Sequence, residues 1–362
     1  MSLARLMTAA WERNLPVSVL VELTYRCNLD CFFCYNDVNL RGEPLRREQY
    51  FQLFQELSDL GVLHLTLSGG EPLAHPDFLV LGARARELGF AVRVKSNGHA
   101  LRGELARRVR DEVDPFLIET SLHGATAATH DRQTRVPGSF ERLLANLAEL
   151  RALGLRVKLN STLTAWNEGE IAEMFTLADA LGLPLQVDPE VTPRDDGDRG
   201  PLAVAPSREG VLRLFRVQTE RGRAATAGEA AAPPPRSADE TLPAPPGKHC
   251  GAGSAGLAID PYGNVYPCVQ WRRPVGNLHQ QGLREIWRGS DGLREVRDLN
   301  VQARERMEAQ GPRAALLNFC PGMAASLTGD PLEIYPSALR RKELLEGILE
   351  EEERRPLLPV VP

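Results

Sequence analysis

Between Val17 and Asp188 the chain alternates short apolar, largely β-branched runs with stretches in which apolar residues recur at helical spacing. Strands are predicted at 17–23, 63–67, 91–95, 116–121, 155–161 and 185–188. The intervening helices are predicted from the spacing of Tyr50, Leu53, Phe54, Leu57 and Leu60, and over 78–88, 101–109, 140–153 and 171–181, with Gly61, Gly154 and Gly182 as C-caps. Six such units predict a parallel sheet covered by helices. Periodicity leaves an open doubly wound sheet and a barrel as alternatives, and in barrel-like α/β folds the reactive groups gather at the carboxyl ends of the strands.

The first strand runs directly into Cys27-Asn-Leu-Asp-Cys31-Phe-Phe-Cys34, three cysteines separated by three and then two residues. Thiolates so close along one loop can converge on a metal centre. Iron–sulfur clusters are commonly closed by four thiolates, and no fourth lies nearby, so one iron would stay open to an outside ligand. Structural zinc sites also use Cys and His but normally complete four protein ligands; zinc is the lesser alternative here. The chain has 362 residues, a net charge of −5 and six cysteines. Without a secretion signal or an apolar run of about 20 residues, the expectation is a cytoplasmic protein of two domains with no membrane span. Its slightly acidic balance argues against nucleic acid as a partner, and the tight triplet reads as metal binding rather than as half of a disulfide framework.

The triplet, with aromatic Phe33 before its last cysteine, resembles the signature of radical S-adenosylmethionine (radical SAM) enzymes. That resemblance implies a six-stranded partial (β/α)6 TIM-like barrel and a 4Fe-4S cluster on Cys27, Cys31 and Cys34. It also implies that the open iron chelates SAM, which is cleaved reductively to a 5′-deoxyadenosyl radical. Ser68-Gly-Gly-Glu-Pro72 follows the second strand. Two glycines let main-chain atoms approach a ligand, and the quartet is similar to the family element that holds the methionine amino group, which assigns Gly69, Gly70 and Glu71 to SAM. Further polar strand ends are Ser96-Asn97-Gly98, Ser121-Leu-His-Gly124 and Asn160-Ser-Thr162. Their shared position at strand ends places Asn97 at the same pocket, and the resemblance implies that Asn160 approaches the ribose. Ser121 and a downstream arginine are implied to bind the methionine carboxylate; Arg132 and Arg135 are the candidates, with Arg135 adopted. Phe33 packs near the adenine or is a core aromatic. His123 touches substrate or caps its loop, and Asp188 and Glu190 are proton acceptors or ordinary loop carboxylates.

Residues 1–16 read as a short lead-in, 17–200 as the barrel, and 201–248 as a helix plus an Ala/Pro-rich linker. Residues 249–325 read as a small α+β domain, and 326–362 as a charged helix and tail whose Glu350–Glu353 run is a solvated face. Cys250, Cys268 and Cys320 are dispersed enough to be three separate structural thiols. Yet Cys250, Gly263, Cys268 and the helix Leu283-Arg-Glu-Ile-Trp287 are similar to the SPASM or twitch auxiliary-cluster domain. With three cysteines rather than the seven of a full SPASM domain, the chain would hold one auxiliary cluster. Its fourth ligand would be His249, another side chain, a partner or the substrate.

The resemblance implies an oxidoreductase that takes electrons from a flavodoxin or ferredoxin and abstracts hydrogen from a ribosomally synthesised peptide, cross-linking or epimerising it. The brevity of 1–16 suggests a separate leader-binding protein or none. The alternatives are oxidation of a protein residue in the manner of sulfatase maturation, tailoring of a small molecule or cofactor precursor, and a non-catalytic iron–sulfur or zinc protein.

Overall fold

The computed structural model describes residues 3–37, 39–227 and 247–354. In chain order the first half contains α1 (Leu3–Arg13), β1 (Ser18–Thr24), α2 (Arg47–Asp59), β2 (His64–Gly69), α3 (Phe78–Glu87), β3 (Ala91–Ser96), α4 (Gly103–Arg108), β4 (Leu117–Ser121), α5 (Ala127–Thr134), α6 (Ser139–Ala152), β5 (Val157–Thr162), α7 (Ile171–Ala180) and β6 (Leu185–Asp188). All six strands lie parallel and pair in sequence order. The sheet runs from β6 at one edge without closing on itself, which makes it a partial barrel.

Strand alternation explains the layering, since successive side chains point to opposite faces. Val19, Val21 and Leu23 on β1, Leu65 and Leu67 on β2, Val92 and Val94 on β3, and Leu159 on β5 are buried in one core. Tyr50, Leu53, Phe54 and Leu57 of α2 join them. Each such side chain contributes roughly 1.5–3 kcal/mol on full burial. The opposite face is polar, and register sets it in rows: Glu22 beside Ser68, Lys95 beside Glu119 and Lys158, Ser121 beside Asn160 and Gln186, Thr162 beside Asp188. Carrying that polar face, the carboxyl ends of the strands all open on one side.

After β6 come α8 (Arg208–Ala227), β7 (Gly256–Ile259), β8 (Asn264–Tyr266), β9 (Gly276–Asn277), α9 (Leu283–Gly289), α10 (Asp291–Glu308), α11 (Pro321–Thr328) and α12 (Pro336–Glu353). Here the structure differs from the sequence reading in three ways. The hairpin of the auxiliary segment is not a detached sheet: β7 pairs parallel to β1, and β8 and β9 continue antiparallel, so a single nine-stranded sheet carries both halves. The free edge of β1 offers unpaired main-chain groups, and β7 satisfies them. The helix expected near 212–217 spans Arg208–Ala227; the rest of the Ala/Pro stretch, 228–246, lies outside the described residues. Finally, α12 is not merely a solvated rod. It buries Ala338, Arg341, Leu344 and Ile348 and packs on α8, while Glu351 and Glu352 pair with Arg216 and Arg223 of α8 and Glu350 and Glu353 lie opposite Arg313. Among the described residues no helix is long and apolar enough to cross a membrane.

Candidate active site

The cysteine loop leaves β1 through an irregularity between Glu22 and Thr24 that brings Thr24 opposite Gly69. It turns tightly, Cys34 N–H donating to the Cys31 carbonyl at 3.1 Å, and it is tied to the end of α5 by Asp30 N–H to the Thr134 carbonyl and Phe32 N–H to the Gln133 carbonyl. Gly69, which ends β2, and Gly70 both dock against it. Gly70 N–H donates to the Thr24 carbonyl at 2.7 Å and Glu71 N–H to the Arg26 carbonyl at 2.9 Å. A Cβ on Gly69 would stand 2.3 Å from the Thr24 carbonyl oxygen, and one on Gly70 2.7 Å from those of Arg26 and Tyr25. No other residue type allows this approach. Asn36 closes the loop by donating to the Gly69 carbonyl at 3.1 Å.

Glu71 is 2 % exposed, and its carboxylate accepts hydrogen bonds from Leu73 N–H, the Ser96 hydroxyl and Asn97 N–H at 3.1, 2.9 and 2.9 Å. Burial pushes its carboxyl up despite those donors. Through these bonds Glu71 fixes the end of β3. Asn97 in turn donates to Asn28 at 2.7 Å and lies 3.7 Å from the Cys27 sulfur.

All six cysteines are free thiols. Burial pushes Cys31 up, and the neighbouring charges of Cys34 and Cys27 push it further; Cys27 and Cys34 are also raised, first by burial. Three thiols that sense one another, each disfavoured as a bare thiolate, suit a cationic metal centre that supplies the missing positive charge. Among the described residues no group of three Cys, His, Asp or Glu side chains is placed to hold a single metal ion. A multi-iron cluster makes no such demand, because its ligand sulfurs stand well apart.

Ser121 ends β4 beside Asn160, whose amide donates to Glu119 at 2.8 Å; Lys95 approaches the same oxygen at 3.5 Å. Burial acts to raise the Glu119 carboxyl, but Lys95, Asn160 and Lys158 outweigh it and hold it below its ordinary range. Phe33 meets His123 edge-on at 4.8 Å, and His123 stacks on His130 at 5.9 Å. Burial pushes these imidazoles down to about 3 and about 4 respectively, so both are neutral. Arg135 is at the rim: it caps α5 in the left-handed region, pairs with Asp30 at 3.1 Å and lies over the Phe32 ring. Arg132 lies over Trp166, which packs on Phe32. The sequence reading missed Trp166, for which only an isolated aromatic in Thr164-Ala-Trp-Asn167 gave any signal.

The three later thiols lie within electrostatic reach of one another. Burial and the charges of Cys320 and Cys268 raise Cys250, while Cys268 is pushed up to about 12 by burial and then by Cys320. Ala252, Trp271 and Val296 form the apolar packing beside Cys250 and Cys268, and the Cys250 thiol donates to Asn300 at 3.0 Å. His249 presents Nε2 to the Phe319 carbonyl at 2.8 Å, leaving Nδ1 as its remaining nitrogen. Glu190 forms a buried ion pair with Arg341 of α12, and Asp188, raised chiefly by burial, accepts Glu190 N–H at 2.9 Å.

The described arrangement agrees with comparisons to known proteins. A family model described as the radical SAM superfamily matches residues 21–178, and one described as an iron-sulfur cluster-binding domain matches residues 250–312. The chain is 31 % identical to a PqqA peptide cyclase of Ruegeria pomeroyi over 90 % of its own length and 87 % of that protein's. It is 27 % identical to an AdoMet-dependent heme synthase of Methanosarcina barkeri over 91 % and 97 %. The structure of anSMEcpe with bound AdoMet and a Cp18Cys peptide superposes with a TM-score of 0.73, covering 93 % of this chain and 97 % of that one at 16 % identity. With its open parallel barrel and these matches, the chain belongs to the radical SAM superfamily, enzymes that bind a 4Fe-4S cluster and SAM, and it carries the SPASM type of auxiliary iron–sulfur domain.

Proposed function

We propose that this enzyme modifies a ribosomally synthesised peptide by hydrogen abstraction, forming a cross-link, an epimer or a related product. The observation that carries this reading is the match to a PqqA peptide cyclase along 90 % of the chain. When bound, the cluster and SAM supply a 5′-deoxyadenosyl radical; the protein supplies orientation, charge and exclusion of water. Cys27, Cys31 and Cys34 hold the SAM-binding cluster. Gly69, Gly70, Asn97, Ser121 and Asn160 hold SAM, with Phe33 beside its adenine. Glu71 serves that site by positioning β3, and Arg135 by pinning the cysteine loop through Asp30. Cys250, Cys268 and Cys320 hold one auxiliary cluster. The polar sheet face carrying Lys95, Glu119 and Asp188 receives the substrate, with Asp188 as the candidate proton acceptor. Free thiols and oxidisable clusters suit a reducing compartment, so the cytoplasm, with a flavodoxin or ferredoxin as electron donor, is the proposed setting.

A second reading, tailoring of a small molecule, is favoured by the match along 97 % of an AdoMet-dependent heme synthase. Anaerobically reconstituted enzyme, incubated with SAM, reductant and each short peptide encoded near its gene, decides between the two. A mass change in one peptide, or an epimerised residue read by deuterium uptake from heavy water, formed together with 5′-deoxyadenosine, supports the first. Formation of 5′-deoxyadenosine with every peptide unchanged overturns it.

A further inference from the structure

Arg272 lies four residues after Cys268 and is buried between the two cysteine loops. Its guanidinium donates to both oxygens of Glu22 at 2.7 and 2.9 Å, and its Nε lies 2.9 Å from an Asp195 carboxylate oxygen. The side chains of Arg272, Glu22 and Asp195 are 10 %, 0 % and 16 % exposed. Aromatic rings flank the cation: its central carbon is 5.1 Å from the Tyr266 ring and 5.9 Å from that of Tyr35. A fork–fork pair of this kind fixes direction as well as distance.

Each partner leads back to a cysteine. Glu22 is on β1, the strand that delivers Cys27. Tyr35 follows Cys34 directly, and its carbonyl accepts the N–H of Asp195 at 2.8 Å. On the other side, Trp271 N–H donates to the Cys268 carbonyl at 3.2 Å. An unbroken path of covalent bonds, hydrogen bonds and one ionic contact therefore runs from Cys34 through Asp195 and Arg272 to Cys268. Tyr25 adds a hydrogen bond to Glu22 at 2.9 Å.

Burying such charges is a poor way to gain stability, because desolvation offsets most of the attraction and well-packed apolar residues often serve as well; what a buried pair can add is a single defined geometry. We propose that Arg272 is a positioning residue that sets the spacing and relative orientation of the SAM-binding and auxiliary clusters. It does so by clamping the loop after Cys268 to β1 and to the loop after Cys34. This rests on Cys34 and Cys268 being ligands of two different clusters, which the same experiment checks separately.

Two variants of the reconstituted full chain test it. Arg272→Lys keeps the charge but lacks the fork; Glu22→Gln/Asp195→Asn/Arg272→Gln removes all three charges, so none is left buried and unpaired. Iron content and the electron paramagnetic resonance signal of each reduced cluster report whether both sites are built, and their mutual magnetic interaction reports spacing. The expected result is wild-type iron and both individual signals, with an altered cluster–cluster interaction. Product formed per 5′-deoxyadenosine should also fall by about tenfold or more, as expected for ångström-scale misplacement. An unchanged interaction and product ratio in the triple variant would overturn the proposal. So would outright loss of one cluster from a folded variant, since Arg272 would then build a site rather than space two. Absence of a second cluster signal in the unmutated enzyme would instead remove the two-cluster premise.

Discussion

Glu71 and Asn97 are locked together, the buried carboxylate of the first accepting the backbone N–H of the second at 2.9 Å, while the Asn97 side chain reaches the Cys27 sulfur at 3.7 Å. The Gly-Gly-Glu segment thus acts on the cysteine loop through the end of β3. Glu71→Ala strands two buried donors, Ser96 Oγ–H and Asn97 N–H, and should cost about 1–3 kcal/mol in stability. It should also weaken SAM binding, read by equilibrium dialysis. Glu71→Gln keeps an acceptor and should lose less; equal SAM affinity in the Ala variant would refute the positioning role.

The two glycines before Glu71 give a sharper contrast. Gly69 has φ +132° and, like Gly70, no room for a Cβ against backbone carbonyls. Gly69→Ala or Gly70→Ala must therefore displace the cysteine loop, and a shift of about an ångström should lower SAM cleavage on the order of 100-fold. Gly61, at φ +83° with nothing within 4 Å of an added Cβ, is the control. Gly61→Ala should cost only about 1 kcal/mol and leave cleavage unchanged.

Short apolar, largely β-branched runs such as 17–23 and helical spacing such as Tyr50, Leu53, Phe54 and Leu57 made the six strand–helix units legible, because each pattern records a burial that the structure contains. Pairing of β7 with β1 was not legible: the partners are more than two hundred residues apart, and a four-residue strand carries no register signal. Nor was the short α5 legible, because its sequence Ala-Ala-Thr-His-Asp-Arg-Gln-Thr lacks an apolar stripe. Cys27, Cys31 and Cys34 were visible because their neighbourhood is local. The mutual electrostatic reach of Cys250, Cys268 and Cys320, and the Glu22–Arg272 and Glu190–Arg341 pairs, depend on tertiary contacts that no spacing encodes.

The two cysteine trios should separate by mutation. Cys31→Ala removes one of three thiolates from the SAM-binding site and should abolish 5′-deoxyadenosine formation, because two remaining thiolates hold a cluster poorly. Cys268→Ala leaves that site intact, so SAM cleavage should persist without product. Iron analysis should show about four atoms lost in each case if both clusters are four-iron. Product formation by Cys268→Ala at the wild-type rate would show that the auxiliary cluster is idle.

Acid sensitivity should come from the histidines behind Phe33. Burial lowers His123 to about 3 and His130 to about 4, below the ordinary value near 6.5, so between those limits the unfolded chain binds protons that the folded chain refuses. Stability is therefore complete above pH 6.5 and falls as pH drops, by roughly 1.4 kcal/mol per histidine per pH unit. His130 also accepts the backbone N–H of His123 through Nδ1 at 3.1 Å, so the replacement must keep an acceptor. His130→Asn places an amide oxygen near that position and does not titrate. Denaturant unfolding of the reconstituted enzyme at pH 7.5 and 5.5 should show a smaller pH-dependent loss in His130→Asn than in wild type, by about 1.4 kcal/mol for the one pH unit below 6.5. An equal loss in the two proteins would place the acid sensitivity elsewhere.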